Sequence, residues 1–202
     1  MATEPRRAEA LGLVETRVPV SDQALIERAR EGDDAAFRDL VERYESRVAA
    51  TVIGMLGPGD EAEDVGQETF IRLYRSLDRF RGDSSLGTYL TRIAINLSLT
   101  ALKKRKRRMS RFVRQDETER DRPEASWDPR DQIERSEDIR RVRAAVTRLA
   151  PNHRTVIVLR MIDGYSTKET AEILGIPAGT VMSRLARAME RLESEMKESG
   201  DG

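Results

Sequence analysis

The sequence predicts an all-α protein: two small helical domains joined by a flexible acidic linker, the C-terminal one a helix-turn-helix. Three observations predict it. Apolar residues recur at spacings of three and four through two long stretches. No stretch sustains the period-two alternation of a half-buried strand. Between the helical stretches lies an acid-rich segment, interrupted by Pro123 and Pro129, with few apolar residues. The boundaries read as a disordered tail over 1–21, a first domain over 22–110, a linker over 111–135 and a second domain over 136–197.

Each element has its own justification. The tail is polar, aperiodic and carries Pro5 and Pro19. From Asp22 the pattern is helical. Phe37, Leu40, Val41, Tyr44, Val48, Val52 and Met55 form one apolar stripe, stopped by Gly57-Pro58-Gly59. Ala62, Val65, Thr69, Leu73 and Leu77 form a second. The turn Arg81-Gly82-Asp83-Ser84-Ser85 offers three capping residue types, and a third stripe follows from Leu86 through Leu102. In the linker, Trp127 can dock on a domain or a partner, and is equally compatible with simple exposure. Pro151 suits a first helical position and Gly164 can end that helix. Ser166-Thr167-Lys168-Glu169 is a capping box. A short helix from Thr167 to Leu174 ends at Gly175, Ile176-Pro177 turns the chain, and a longer helix runs from about Ala178 to Met196. Val181 and Leu185 face inward, with Arg184 and Arg187 on the opposite face.

Charge is abundant and segregated. Charged residues make up 36 % of the 202 residues, yet the formal net charge is zero. Lys103 to Arg114 holds eight basic residues and no acid, Gln115 to Ile139 ten acids and four arginines, and Ile139 to Ile162 six arginines and no acid. Blocks of one sign mark polyanion contact, a flexible tail or a solvated face.

Enzyme chemistry has few candidates. Cysteine is absent and there is a single histidine, His153, so thiol nucleophiles, thiolate zinc sites and histidine-rich metal sites are excluded. There is no glycine-rich phosphate loop. Asp60, Glu61, Glu63, Asp64 and Glu68 spread over a helix face with no loop to wrap an ion, which fits a basic partner or water better than a cation. No catalytic residue, metal or cofactor is expected. Apolar runs fall short of the ~18 residues of a membrane span, and the N-terminal stretch lacks a secretory core, so a cytoplasmic protein without membrane insertion is expected. Binding chemistry fits better. Lys103 to Arg108 continue a helix and can neutralise phosphates. Phe80 and Tyr89 flank Arg81, Ser84 and Ser85, and rings beside short polar groups suit unstacked bases; core packing is the alternative for both rings. Asn96 lies two turns after Tyr89 on the same face.

At this point the residues resemble a family. Ala62-Glu63-Asp64-Val65-Gly66-Gln67-Glu68-Thr69-Phe70 is similar to the polymerase-binding motif of bacterial sigma factors. So are Phe80-Arg81-Gly82-Asp83-Ser84-Ser85 and Tyr89-Leu90-Thr91-Arg92-Ile93-Ala94-Ile95-Asn96 to the motifs that follow it. The stretches Leu149-Ala150-Pro151 through Gly164-Tyr165-Ser166, Ala171 through Pro177 and Gly179 through Leu185 match the C-terminal domain. The arrangement resembles the extracytoplasmic-function sigma factors, two-domain members of the sigma-70 family, over roughly 22–110 and 136–196.

The resemblance implies partners and roles. Core RNA polymerase would be bound through the clamp coiled coil of its largest subunit by Glu61, Glu63, Asp64, Gln67 and Glu68, with a second contact at the flap region. The minus-ten element would be opened and held by Phe80, Arg81, Ser84, Ser85, Tyr89, Arg92, Asn96, Lys103, Lys104 and Arg105. The minus-thirty-five element would be read by Thr167, Lys168, Thr180, Ser183, Arg184 and Arg187. The linker would thread toward the polymerase active centre, and an anti-sigma factor would hold the protein inactive. Departures are visible: Tyr89 stands where Trp is usual, Thr100 where Asp is common, Gly66 lies inside the docking helix, and Met182 and Ala186 replace basic and aromatic types. Two other functions remain open at this stage: an operator-binding regulator using 136–196 alone, and a protein whose first domain only sequesters a partner.

Overall fold

The computed structural model describes residues 20–112 and 135–198. Trp127, most of the linker and residues 1–19 of the N-terminal tail lie outside them. The described residues are helical, without strands: α1 (Asp22–Arg30), α2 (Asp34–Leu56), α3 (Asp60–Ser76), α4 (Leu86–Phe112), α5 (Arg135–Arg148), α6 (Pro151–Ile157), α7 (Thr167–Leu174) and α8 (Ala178–Glu198). A 3₁₀ turn, Leu77–Arg79, follows α3, and a π turn, Val158–Ile162, follows α6.

The caps explain the boundaries. Ser21 accepts from the Ala24 amide to start α1, and Asp33 accepts from the Ala35 and Ala36 amides to start α2. The break between them, at Glu31-Gly32-Asp33, interrupts what the sequence suggests is one continuous helical pattern. Ser85 accepts from the Thr88 amide at 3.1 Å and begins α4. The box at Ser166 and Glu169 closes in both directions, and Gly175 ends α7 in the left-handed region at φ 64°.

Packing follows the stripes. Leu25 and Ile26 of α1, Leu40, Val52 and Met55 of α2, Leu73 of α3 and Leu90 and Ile95 of α4 are buried together. Helices α3 and α4 run antiparallel: Tyr89 reaches Ser76 at one end and Arg105 reaches Glu61 at the other. The same buried cluster takes in Val158, Leu159, Tyr165 and Ile173 from the C-terminal helices. A second cluster, Val146, Leu149, Val156, Ile157 and Ala188, with Leu185 and Leu192 against it, ties α5, α6 and α8.

Candidate nucleic-acid interface

Three surfaces carry the residues singled out by the sequence. The first is the groove between α3 and α4, about 660 Å³ in volume. Glu61, Asp64 and Glu68 line one wall, Lys104, Arg107 and Arg108 the other, with Val65, Leu97 and Ala101 between them. Glu61 meets Arg105 at 3.5 Å, and Glu68 pairs with Arg72 along α3 at 2.9 Å. The acidic residues expected to face polymerase thus stand directly against the basic residues expected to face DNA. Glu63, Asp64 and Gln67 are exposed, as are Lys103 and Lys104.

The second surface is the loop before α4. Phe80 and Tyr89 pack ring to ring with centroids 5.1 Å apart at 55°. The Tyr89 hydroxyl donates to Ser76 Oγ at 3.0 Å. Both rings are half-buried and pack against the core, as the packing alternative expects. Arg81 is exposed and Ser84 half-exposed, while Ser85 Oγ is committed to capping α4 and to Thr88 Oγ1 at 2.9 Å. Asn96 is exposed two turns along α4. Arg92 donates to the Glu172 carbonyl of α7 at 3.3 Å, so it lies at the contact with the C-terminal helices.

The third surface is the helix-turn-helix. Helices α7 and α8 meet through Gly175, and Val181 and Ala188 are the buried residues of α8. Ser183 and Arg187 are exposed, Arg184 and Thr180 half-exposed. Ser183 Oγ donates to the Thr180 carbonyl at 3.1 Å. Thr167 Oγ1 lies 3.5 Å from Met182 Sδ, and Lys168 is exposed on the first turn of α7. Together α7 and α8 leave Lys168, Ser183 and Arg187 exposed and Thr167, Thr180 and Arg184 half-exposed.

The contact between the N-terminal and C-terminal helices holds residues that the sequence did not single out. Arg154 is buried and donates to the carbonyls of Met55 at 2.6 Å, Leu149 at 3.0 Å and Thr147. Burial lowers its pKa to about 10, so it stays charged at neutral pH. Asp163 accepts from Thr51 Oγ1 at 3.0 Å. Burial pushes its carboxyl up to about 6, against the opposing pull of the Thr51 hydroxyl and Arg47. Thr91 and Tyr165 share a buried hydroxyl–hydroxyl bond of 2.9 Å, and the Arg47 guanidinium lies 5.4 Å from the Tyr165 ring centroid. Lone charged residues in a charge-rich chain carry no signal of this kind.

Fold and surface define an all-helical protein of the helix-turn-helix class, with a separate mixed-charge groove between α3 and α4. The comparisons narrow the class. Residues 40–108 match the family description Sigma-70 region 2, and residues 139–192 match Sigma-70, region 4. The ECF RNA polymerase sigma-E factor of Haemophilus influenzae is 37 % identical over 183 residues, spanning 88 % of this chain and 96 % of the relative. The RNA polymerase sigma-H factor of Pseudomonas aeruginosa is 35 % identical over 187 residues, spanning 87 % and 94 %. Among solved structures, the sigma factor RpoE in complex with the anti-sigma factor NepR from Bartonella quintana is similar with TM-score 0.64 at 25 % identity, covering 80 % of this chain and 96 % of that one. CnrH in complex with the cytosolic domain of CnrY gives 0.62 at 27 %, covering 88 % and 97 %. The chain belongs to the extracytoplasmic-function sigma factors of the sigma-70 family, which are transcription initiation factors and not enzymes. No helix among the described residues is long and apolar enough to cross a membrane.

Proposed function

We propose that this chain acts in the cytoplasm, binds core RNA polymerase and directs it to promoters, with an anti-sigma factor as its regulator. One observation carries the reading. A mixed-charge groove and an aromatic-polar loop lie on α3, α4 and the loop between them, while the helix pair α7 and α8 lies apart from both in the C-terminal part of the chain. Asp64, Gln67 and Glu68, with Glu61 and Glu63, would meet the clamp coiled coil. Phe80, Arg81, Ser84, Tyr89, Arg92 and Asn96 would capture an unstacked non-template base, and Lys103, Lys104 and Arg105 would neutralise nearby phosphates. Ser85 would act through the start of α4, since its hydroxyl is already bonded. Thr167, Lys168, Thr180, Ser183, Arg184 and Arg187 would hold the minus-thirty-five duplex. The anti-sigma partner is supported by the two solved relatives, one bound to the anti-sigma factor NepR and the other to the cytosolic domain of CnrY.

Run-off transcription with purified core polymerase on a randomised promoter library is the test. The chain raises transcription from a defined subset of the library. Transcription equal to that of core alone across the library overturns the proposal.

A further inference from the structure

A loop that captures one base must leave its helix in a fixed direction, because rings and hydroxyls discriminate only when they are held in place. The loop Phe80–Ser85 leaves α3 through the 3₁₀ turn Leu77–Arg79, which is closed by the Phe80 N–H donating to the Leu77 carbonyl at 3.2 Å. Arg30 adds side-chain donors to this turn from a different element. Its Nε and Nη2 donate to the Leu77 carbonyl at 3.0 and 2.9 Å, and Nη2 also donates to the Phe80 carbonyl. The planar guanidinium therefore bridges the first residue of the turn and the first residue of the loop. Its positive charge sits where the carbonyl ends of α3 and the turn converge.

The platform beneath Arg30 is firm. Leu25, Ile26 and Ala29 of α1 are buried in the core. At the other end of α1, Asp22 accepts from Arg43 Nη1 of α2 at 2.5 Å and from the Tyr44 hydroxyl. The loop is framed from its other side by the Phe80–Tyr89 ring pair and the Tyr89–Ser76 bond. One fork thus connects an anchored helix to the backbone from which Phe80 and Arg81 project.

We propose that Arg30 is a positioning residue for promoter opening: through the Leu77 and Phe80 carbonyls it fixes the loop Phe80–Ser85 in the geometry that selects an unstacked base. The inference rests on reading that loop as the single-strand-binding loop, and it adds a residue outside every surface described above. Arg30 touches no DNA itself. Lysine at this position keeps the charge but loses the planar fork, so its three donors turn about one flexible stem and hold the two carbonyls less rigidly.

The test uses holoenzyme assembled from the full chain and core polymerase. A single-stranded oligonucleotide is selected by the wild-type holoenzyme from a randomised pool. Its affinity is then compared with that of variants changed at one base. In Arg30→Gln the preference for the selected base falls on the order of tenfold, within the roughly 100-fold that a 1 Å misplacement of a positioned group can cost. Core affinity and far-UV circular dichroism stay at wild-type values, and Arg30→Lys is intermediate. Arg28→Gln removes a neighbouring guanidinium that is bonded to Asp33 rather than to the loop, and it leaves the preference unchanged. An unaltered preference in both Arg30→Gln and Arg30→Lys overturns the proposal, as does an equal loss in Arg28→Gln, which would report general loosening of α1. A wild-type holoenzyme that selects no sequence overturns the loop reading itself.

Discussion

A carboxylate moved from water into a helix–helix contact loses hydration that one hydroxyl donor replaces only in part. Asp163 is placed in this way, facing Thr51 and Arg47 of α2, and its pKa is about 6 against an ordinary 3.8. The folded state therefore binds this proton more tightly than the unfolded chain does. The favourable contribution of Asp163 is complete below about pH 4 and is lost as pH rises through about 6. Asp33 and Glu169 shift the other way: Arg28 lowers the first and Ser166 the second, so their contributions fade as pH falls through the acid range. Asn at 163 keeps an acceptor for Thr51 and carries no charge. Asp163→Asn should raise stability at pH 7.5 by on the order of 2 kcal/mol, discounted for the partial exposure of the group. The gain should vanish near pH 4. Urea melts at several pH values measure this, and an equal effect of the substitution at pH 4 and 7.5 contradicts the assigned burial.

Helix α3 carries the acidic wall of the groove, and its weakest residue is Gly66. A Cβ built there meets nothing within 4 Å. Gly66→Ala should stabilise the chain by about 0.5–1 kcal/mol, through helix propensity alone. The urea midpoint rises with an unchanged slope; a lower midpoint would show that the space is used. The elements themselves were largely readable in the sequence. Spacings of three and four marked α2, α3 and α4, and Pro151, the Ser166 capping box and Gly175 marked α6 and α7, because each is a local rule. The break at Gly32 was not readable: it falls in a charged stretch where no apolar stripe is lost. The π turn was not readable either, since its Asp163 N–H to Val158 carbonyl bond belongs to a segment that packs against α2. Of the candidate site, the exposure of Glu63, Asp64, Gln67, Arg81, Asn96, Ser183 and Arg187 was readable; the Glu61–Arg105 pair was not, because it depends on α3 and α4 lying antiparallel.

At the scale of the molecule, the two helical units are in contact, and the proposed promoter contacts require them apart. Minus-ten and minus-thirty-five elements lie about 25 base pairs apart, roughly 85 Å at 3.4 Å per base pair. A compact chain of this size has a radius of gyration of only about 16 Å. The units must therefore part at the Thr51–Asp163, Met55–Arg154 and Thr91–Tyr165 bonds before both elements are held together. Gly54 shows how close they stand: a Cβ there would lie 2.9 Å from Val158 Cγ2 and 3.1 Å from Ile162 Cδ1. That proximity suits a disulfide between positions 54 and 158, and the chain has no cysteine of its own to compete. Gly54→Cys with Val158→Cys should cross-link under mild oxidation without dimer formation. The oxidised chain should fail to initiate at promoters that need both elements, and reductant should restore initiation. Each single-cysteine variant should be indifferent to oxidant. A cross-linked chain that initiates as well as the reduced one would mean that the contact persists on the promoter, and that a single unit carries recognition there.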